Sequence, residues 1–578
     1  MKAKIYAAAL LSLLMATSCN DFLDEQKPQG VLDEEQVLNP AYIDNLIISA
    51  YAIWITSEDI NSSFSMWNYD VRSDDAYKGG SGPDDGGVFH NLEISQGIQT
   101  EAWNISDMWQ RLYNCISRAN TALQVLDMMD ASSYPLLETR KAEMRFLRAH
   151  GHFLLKRLYK NIPFIIDENL SQDGYNNLKN NTYTNDEGWQ LIIDDFEFAY
   201  NNLPVKQASV GRPSQAAAAA YLAKTYLYKA YRQDNPESHQ VTSINQEDLN
   251  MVVKYSDPTI YTAAGFHLDT DLHNNFRPEP QYENGPESIW AMQYSFNDGT
   301  PEGNCNWSYG LILPAIPGVT DGGCDFYKPT QNLVNAFKTD ENGLPYLDDF
   351  NSKDYDMAND YADPRLFLTV GMPGTPYMFN KNYIIDHTAT WSRSNGTYGY
   401  YITLKQNVDP DTEYNIRGGL WWGNPMNLIV LRYADIMLMR AEALAQLGQN
   451  LPEVLEIINS LRTRANQSLA MISDYEREYG VRMKVKTYQP GGYSAMDLLK
   501  MVKFERRLEM AMESQRFFDL VRWGEAAQVL NKYYVEETDD CPIYSAASFT
   551  ADKNEYLPIP FSQISASNGN YVQNIGNW

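Results

Sequence analysis

The sequence predicts a mostly α-helical protein, built as a helical-repeat scaffold of the tetratricopeptide type with long irregular loops and few short strands. Two observations predict this fold class. Several segments repeat apolar residues every three or four positions, and long polar stretches rich in Gly, Pro, Asn and aromatic residues separate them. Helices that each carry an apolar face too large to bury alone stack into arrays. The strict repeat consensus is absent, so composition and periodicity carry the prediction.

The predicted helices come with signals for where they begin or end. The clearest runs from Glu138 to Tyr159 and is stopped by Pro163, because proline cannot continue a helix. A second begins at the cap residue Ser214 and runs to about Tyr231. The same pattern predicts further helices over 109–129, 431–447, 451–465 and 496–512.

Three long loops lie between the helices: Asp70 to Trp103, Phe266 to Leu333, and Tyr377 to Asn427. Loops of this length in a compact domain are usually functional or disordered, and their aromatic content argues against disorder. We therefore expect a helical frame with structured binding loops. The predicted organisation is a signal peptide over 1–18 and one domain over 19–578. That domain divides into an N-terminal helical part (19–235), a loop-rich insert (236–427) and C-terminal helices (428–578).

The N-terminus has the pattern of an export signal. Lys2 and Lys4 precede an apolar run over 5–15, small residues occupy 16–18, and Cys19 follows. The apolar run is too short to span a bilayer. Cys19 is either the lipidated first residue of a bacterial lipoprotein or a free thiol after an ordinary cleavage site. We favour lipidation, although Ala16 stands where such signals usually have Leu, because an exposed thiol is reactive and several acyl chains anchor durably.

The formal net charge of −28 excludes one class of partner, since a strongly acidic surface repels nucleic acid and favours a neutral ligand over an anionic one. No Cys or His spacing predicts zinc, and no cofactor is expected. Calcium stays an unsupported option for paired acids in loops. Cys305 and Cys324 would form a disulfide only if they meet in space, which sequence does not establish.

No enzyme is predicted. Glu505, Glu509 and the nearby Arg516 look at first like catalytic residues, but apolar neighbours such as Phe517 and Phe518 favour a structural ion-pair network. Four acid pairs, at 74–75, 84–85, 194–195 and 348–349, show no evidence of the carboxylate separation that glycoside hydrolysis needs. Phosphate-binding, serine-hydrolase and zinc-protease motifs are absent. A hydrolase is the least favoured alternative.

Aromatic residues beside short polar residues in the loops predict a carbohydrate site. Sugar rings stack their C–H faces on aromatic side chains, while their hydroxyl groups need polar partners. Each single aromatic can equally be packing its own loop. The candidates form three groups: Arg72, Asp74, Asp75 and Tyr77 with Trp103; Tyr294, Phe296, Asn304, Trp307 and Tyr309; and Trp391, Trp421 and Trp422.

Several motifs in one order carry a family resemblance. The C-terminal half contains Leu431-Arg432-Tyr433-Ala434-Asp435-Ile436, Glu505-Arg506-Arg507-Leu508-Glu509, Arg516-Phe517-Phe518-Asp519-Leu520 and Leu557-Pro558-Ile559-Pro560. The N-terminal half contains Cys19-Asn20-Asp21-Phe22-Leu23-Asp24, Arg118-Ala119-Asn120 and Asn161-Ile162-Pro163. From Cys19 to Trp578 the chain resembles the SusD/RagB family of outer-membrane nutrient-binding lipoproteins. It departs at the signal and at 574–576, where a Pro is common in the family.

The resemblance implies a mostly α-helical, tetratricopeptide-like lipoprotein on the extracellular face of the outer membrane, anchored through Cys19. Such proteins cover a SusC-like TonB-dependent transporter, capture oligosaccharides or polysaccharides and deliver them to it. Loops from the first two aromatic groups jointly form the sugar platform in that family. A RagB-like protein that captures peptides is the alternative within the same family.

Overall fold

The computed structural model of the chain describes residues 38–56, 70–299, 304–387, 391–418 and 421–578. The predicted signal peptide over 1–18 and the lipidation site Cys19 lie outside the described residues. The architecture within them is mostly helical, as predicted. The longer helices are Pro40–Thr56, Trp103–Asp127, Leu137–Tyr159, Asn185–Asn202, Gln215–Ala230, Gln246–Tyr255, Tyr433–Leu447, Leu451–Gln467, Ala495–Glu509, Arg516–Trp523 and Ala526–Glu536.

Shorter helices and strands fill the loops. The shorter α-helices are Gly87–Glu93, Gln172–Asn176, Pro258–Ala264, Tyr309–Ile312, Gln331–Ala336, Arg365–Thr369, Asn395–Tyr398, Tyr475–Tyr479 and Phe561–Ala566. The strands of the described chain form six antiparallel pairs: Ala76–Gly79 with Phe326–Pro329, Tyr231–Arg232 with Ser243–Ile244, Ser288–Met292 with Leu428–Arg432, Lys338–Thr339 with Tyr361–Ala362, Val370–Gly371 with Ile402–Thr403, and Ile416–Gly418 with Trp421–Gly423. The described parts of all three predicted loops therefore contain short helices and paired strands.

Local sequence signals set the helix ends. Ser214 accepts a hydrogen bond from the backbone N–H of Ala217, as its predicted cap role requires. The predicted helix over 109–129 begins earlier, at Trp103. The predicted helix over 431–447 begins at Tyr433, because the preceding residues Leu428–Arg432 form a strand. Gly448 ends that helix in the left-handed conformation at φ 65°, which glycine adopts without strain.

The long helices pack against their sequence neighbours in a continuous series. Trp103–Asp127 contacts Leu137–Tyr159, which contacts Asn185–Asn202, which in turn contacts Gln215–Ala230. The run of alanines over 216–220, on the helix Gln215–Ala230, is fully buried, and such small side chains let neighbouring helix backbones approach closely. The series continues to Tyr433–Leu447 and the helices after it. This scaffold fixes the positions from which the loops extend. No helix of the described chain has the length and apolarity needed to cross a bilayer.

The C-terminal charges form a buried ion-pair network, which confirms the structural interpretation of these residues. The Glu509 carboxylate is paired with the guanidinium groups of Arg365, Arg432 and Arg464. Burial opposes ionisation of Glu509, but the three guanidinium charges hold its pKa well below the usual range. Arg365 also bridges to Glu505 at 2.7 Å. The network joins the helices of the C-terminal half to the segment around residue 365.

The cysteines of the described chain, Cys115, Cys305, Cys324 and Cys541, form no disulfide. The pairing of Cys305 with Cys324 that the sequence left open is therefore not made. Cys305 is buried and Cys324 is half-buried, on either side of the short helix Tyr309–Ile312.

Candidate functional site

The charged residues of the first predicted group are structural, which corrects their assignment to a sugar site. Asp74 forms an ion pair with Arg516 at 2.8 Å, and Asp75 forms one with Arg507 at 2.8 Å. Arg72 is also buried: its guanidinium group donates to the carbonyl oxygen of Asn554 at 2.7 Å and lies over the Phe517 ring. A buried carboxylate paired with a guanidinium group, or a buried guanidinium group stacked on an aromatic ring, is not presented to a ligand. These three residues therefore do not belong to an exposed glycan platform.

Three predicted aromatic residues are likewise packed inside the protein. The Tyr77 hydroxyl group donates a hydrogen bond to Glu537 Oε1 at 2.5 Å, and only 3% of Tyr77 is exposed. Tyr309 is fully buried. Trp391 lies edge-on to Tyr377, with ring centroids 6.0 Å apart, inside a small hydrophobic cluster. Their assignment as surface stacking residues is corrected for the same reason: no open ring face is available.

Trp103 is exposed by 51% at the start of the helix Trp103–Asp127. Its ring is edge-on to Phe89 of the helix Gly87–Glu93, at a centroid distance of 5.7 Å. Trp103 is therefore a surface aromatic residue beside the helix Gly87–Glu93. The other predicted aromatic candidates that are not buried lie on or near a β-hairpin.

This hairpin pairs Ile416–Gly418 with Trp421–Gly423, and its register places Gly418 opposite Trp421. Directly paired residues and residues two apart on a strand share a face, so Gly418, Trp421 and Gly423 lie on one face. The Trp307 ring lies on that same face: a Cβ atom added to Gly418 would be 2.5 Å from Trp307, and one added to Gly423 would be 2.8 Å away. Only glycine at both positions leaves room for the flat indole.

Trp421 is 57% exposed and Trp307 is half-buried, so two indole groups lie on one face of the hairpin. The opposite face is closed. There the Arg417 guanidinium group lies 5.0 Å from the centre of the Trp422 ring, and Trp422 Nε1 donates to the carbonyl oxygen of Asp321 at 3.0 Å. Trp422 is buried and supports the hairpin, which corrects its assignment as a stacking residue.

The loop before Trp307 contacts the segment that leads into the hairpin. Phe296 is edge-on to Tyr414, which precedes the first hairpin strand, at a centroid distance of 6.3 Å. The carbonyl oxygen of Asn304 accepts a hydrogen bond from the N–H of Ser295 at 3.0 Å. Tyr294 is half-buried, and its N–H donates to Asn427 at 2.8 Å.

We name the group of residues on the hairpin and on the loop that contacts its leading segment, namely Trp307, Trp421, Phe296, Tyr414 and Asn304, the hairpin platform. Partial burial and the neighbouring charges of Glu413 and Glu279 raise the pKa of Tyr414, so its hydroxyl group stays neutral and can both donate and accept. Partly or largely exposed aromatic rings, together with amide and hydroxyl groups, match both the C–H faces and the hydroxyl groups of a sugar. The geometry suits binding of a neutral, hydroxyl-rich ligand.

Sequence reasoning missed three members of this arrangement: Tyr414, Gly418 and Gly423. A usable signal was present, since two short runs of β-forming residues flank the pair Gly418-Gly419, a pattern typical of a hairpin turn. As for metals, no group of three or more His, Cys, Asp or Glu side chains converges anywhere in the described ranges.

Comparison with known families decides the identity of the fold. A model described as the SusD family matches residues 286–578, which is more than half of the chain. The chain belongs to the SusD family. A second model, described as starch-binding and associating with the outer membrane, matches residues 21–227. The resemblance read from the motifs is thereby confirmed.

Individual relatives span nearly the whole chain. The SusD-like protein P38 of Formosa agariphila is 24% identical over 551 residues, covering 90% of this chain and 91% of the relative. A solved structure named a laminarin-binding SusD-like protein superposes with a TM-score of 0.66 at 21% identity, covering 93% of this chain and all of the other. Surface glycan-binding protein A from Bacteroides fluxus gives 0.65 at 21% identity, covering 93% and 100%. These structures confirm the predicted helical fold class.

Proposed function

We propose that this SusD-family chain is a non-catalytic cell-surface protein that binds a neutral oligosaccharide or polysaccharide on the hairpin platform. The observation that carries the proposal is the pair Trp307 and Trp421 on one open hairpin face. Solved relatives named for laminarin binding and for surface glycan binding support it. The net charge of −28 favours a neutral glycan, because an anionic one would meet repulsion.

The proposal extends to delivery. The bound glycan passes to a SusC-like TonB-dependent transporter in the outer membrane, and lipid on Cys19 holds the protein at the extracellular face. The family description that mentions association with the outer membrane supports this placement. Replacement Cys19→Ser tests the anchor: we expect the protein to leave the membrane fraction of cells, and retention in that fraction would contradict lipidation. Co-purification of the detergent-solubilised wild type with a TonB-dependent transporter tests the partner.

The binding test compares the wild type, Trp421→Ala and the control Phe561→Ala by calorimetry against a panel of neutral and anionic glycans. Phe561 is a suitable control because it is 54% exposed, close to the 57% of Trp421, but lies on the C-terminal helix Phe561–Ala566. With about 250 Å² for a whole Trp side chain, roughly 140 Å² of Trp421 is open, and a sugar ring covers about half of that.

Burial of about 70 Å² at about 25 cal/mol per Å² is worth roughly 1.8 kcal/mol, which is about a 20-fold change in Kd. We expect Trp421→Ala to lose that factor and Phe561→Ala to bind like the wild type. If no glycan in the panel binds the wild type, the proposal fails. Mass spectrometry of co-purified ligand then tests the peptide-binding alternative, and shortened products after incubation would indicate a hydrolase.

A further inference from the structure

A second concave surface shares no residue with the hairpin platform. It has a volume of about 320 Å³, at the lower end of the range for ligand sites. Its apolar lining includes Met357, Met372, Pro373, Tyr398, Tyr400 and Tyr401. We name it the tyrosine cleft. Three of its tyrosines lie within four positions of the chain.

The rings of the tyrosine cleft are held in place by contacts around its wall. The Tyr401 hydroxyl group donates to Gln331 Oε1 at 2.8 Å, and the Tyr400 hydroxyl group accepts from Asn395 Nδ2 at 2.9 Å. The exposed imidazole of His387 stands edge-on to Tyr400, with centroids 5.9 Å apart. Tyr400 and Tyr401 are both half-buried, so each keeps part of its surface open.

The floor of the cleft is rigid. Tyr398 is fully buried there and lies 6.1 Å from the ring of Tyr77, which also lines the cleft. The Tyr77 hydroxyl group is committed to Glu537. Tyr77, which the sequence predicted to stack on a sugar beside Trp103, therefore packs beneath the cleft instead. A ligand would enter a preformed site in which the aromatic side chains are already ordered, which lowers the entropic cost of binding.

The polar groups of the cleft indicate the chemistry of the ligand. Gln331, His387 and the exposed carboxylate of Asp540 converge on the same space. Partial burial, together with the charges of Asp354 and Asp539, raises the pKa of Asp540 to about 6, so it is mostly ionised at neutral pH. Among the residues that the structure describes, no Lys or Arg lines the cleft. This arrangement repels anions, while the carboxylate accepts hydrogen bonds from hydroxyl groups.

We propose that the tyrosine cleft is a second carbohydrate site, which takes a neutral sugar unit with its C–H face against Tyr400 and Tyr401 and its hydroxyl groups toward Asp540. The proposal rests on the proposed glycan-binding function and adds a second point of attachment for the glycan. Two sites on one chain raise the overall affinity for a polymer because the second contact becomes intramolecular.

The test uses the chain with a glycan to which the wild type binds, measured by calorimetry and affinity electrophoresis. Tyr400→Ala removes the ring, whereas Tyr400→Phe keeps the ring and removes only the hydroxyl group that accepts from Asn395. We expect Tyr400→Ala to weaken binding roughly fivefold, less than Trp421→Ala because Tyr400 is more buried, and Tyr400→Phe to stay within about twofold of the wild type. Combining Tyr400→Ala with Trp421→Ala should weaken binding more than either change alone.

The variant Asp540→Asn tests the cleft without the risk of a folding defect, because this exposed side chain can be changed without disturbing the interior. We expect it to weaken binding about threefold with an unchanged thermal midpoint, because a charged acceptor binds hydroxyl groups more strongly than a neutral one. Binding of Tyr400→Ala and Asp540→Asn within twofold of the wild type, while Trp421→Ala loses affinity, overturns the tyrosine cleft and leaves the proposed function standing. A wild type that binds no glycan overturns both.

Discussion

The buried carboxyl group of Glu537 should make the stability of the fold depend on pH. Its Oε1 atom accepts from the Tyr77 hydroxyl group at 2.5 Å and from the N–H of Asn332 at 3.2 Å. Burial raises the pKa of Glu537 to about 8, despite these hydrogen bonds, which lower it. The ordinary value of 4.5 applies to the unfolded chain. Between these two values the folded protein holds a proton that the unfolded chain releases.

Because unfolding then releases a proton, the free energy of unfolding falls as the pH rises from about 4.5 to about 8. Ion-paired acids such as Asp435 and Glu442 have the opposite effect on the pH dependence of stability. Their pKa values are lowered, so the free energy of unfolding falls on acidification. Each pH unit in the window is worth about 1.4 kcal/mol, so Glu537 should lower stability by roughly 2.7 kcal/mol between pH 5 and pH 7.

Replacement Glu537→Gln tests this. The amide oxygen can still accept from Tyr77, while the side chain no longer titrates. Urea unfolding at pH 5, 6, 7 and 8 measures the free energy of unfolding. We expect the difference between variant and wild type to move by roughly 2.7 kcal/mol in favour of the variant from pH 5 to pH 7. Glu536→Gln, at a neighbouring exposed position paired with Lys532, is the control and should leave the pH slope unchanged. Equal slopes in Glu537→Gln and the wild type would refute the reasoning.

Two further changes test the ion-pair network and the platform. Glu509→Ala takes a shared carboxylate from three buried guanidinium groups and should lower the free energy of unfolding by about 3–5 kcal/mol, whereas Glu536→Ala at the surface should cost under about 1 kcal/mol. Similar losses in denaturant titrations would contradict the structural role of Glu509. Gly418→Ala places a methyl group 2.5 Å from Trp307 and should weaken glycan binding severalfold by displacing the indole. Gly492→Ala, which meets no atom within 4 Å, should bind normally; equal affinities by calorimetry would argue against the platform geometry.

The helices could be predicted from sequence because their signals are local. Apolar spacing and caps such as Ser214 act within a few residues and need no knowledge of the rest of the chain. The start of the helix Tyr433–Leu447 was misplaced because Leu428–Arg432 becomes a strand only by pairing with Ser288–Met292, far back in the sequence. Nothing within the segment 428–432 specifies that distant partner.

The charged residues of the site were misassigned for a related reason. An acid beside aromatic residues in a loop has the same local pattern whether it faces a sugar or a buried guanidinium group. The deciding partner of Asp75 is Arg507, which follows it by 432 positions. Net charge and composition do not reveal such ion pairs. Only the structure shows that these charged residues are buried.

Local sequence reasoning could have assigned the neighbouring residues Trp421 and Trp422 to opposite faces of the hairpin. Successive residues of a strand point to opposite faces, so only one of the two can lie on a given surface of the hairpin. Recognition of a turn at Gly418-Gly419 would have implied this split. The face that carries Trp422 is closed because the carbonyl oxygen of Asp321 accepts a hydrogen bond from Trp422. Asp321 is distant in sequence, so local reasoning could not have identified this face.

The closed face also explains why the open one suits ligand binding. Trp422, held by Arg417 and Asp321, fixes the hairpin from behind, and the two glycines in front hold the Trp307 ring flat. A tryptophan already confined to one orientation loses little rotational freedom when a ligand covers it. Trp421, which is more exposed, retains the freedom to adjust to the ligand. One fixed ring beside one adjustable ring lets the platform accept successive sugar units of a polymer whose local geometry varies along its length.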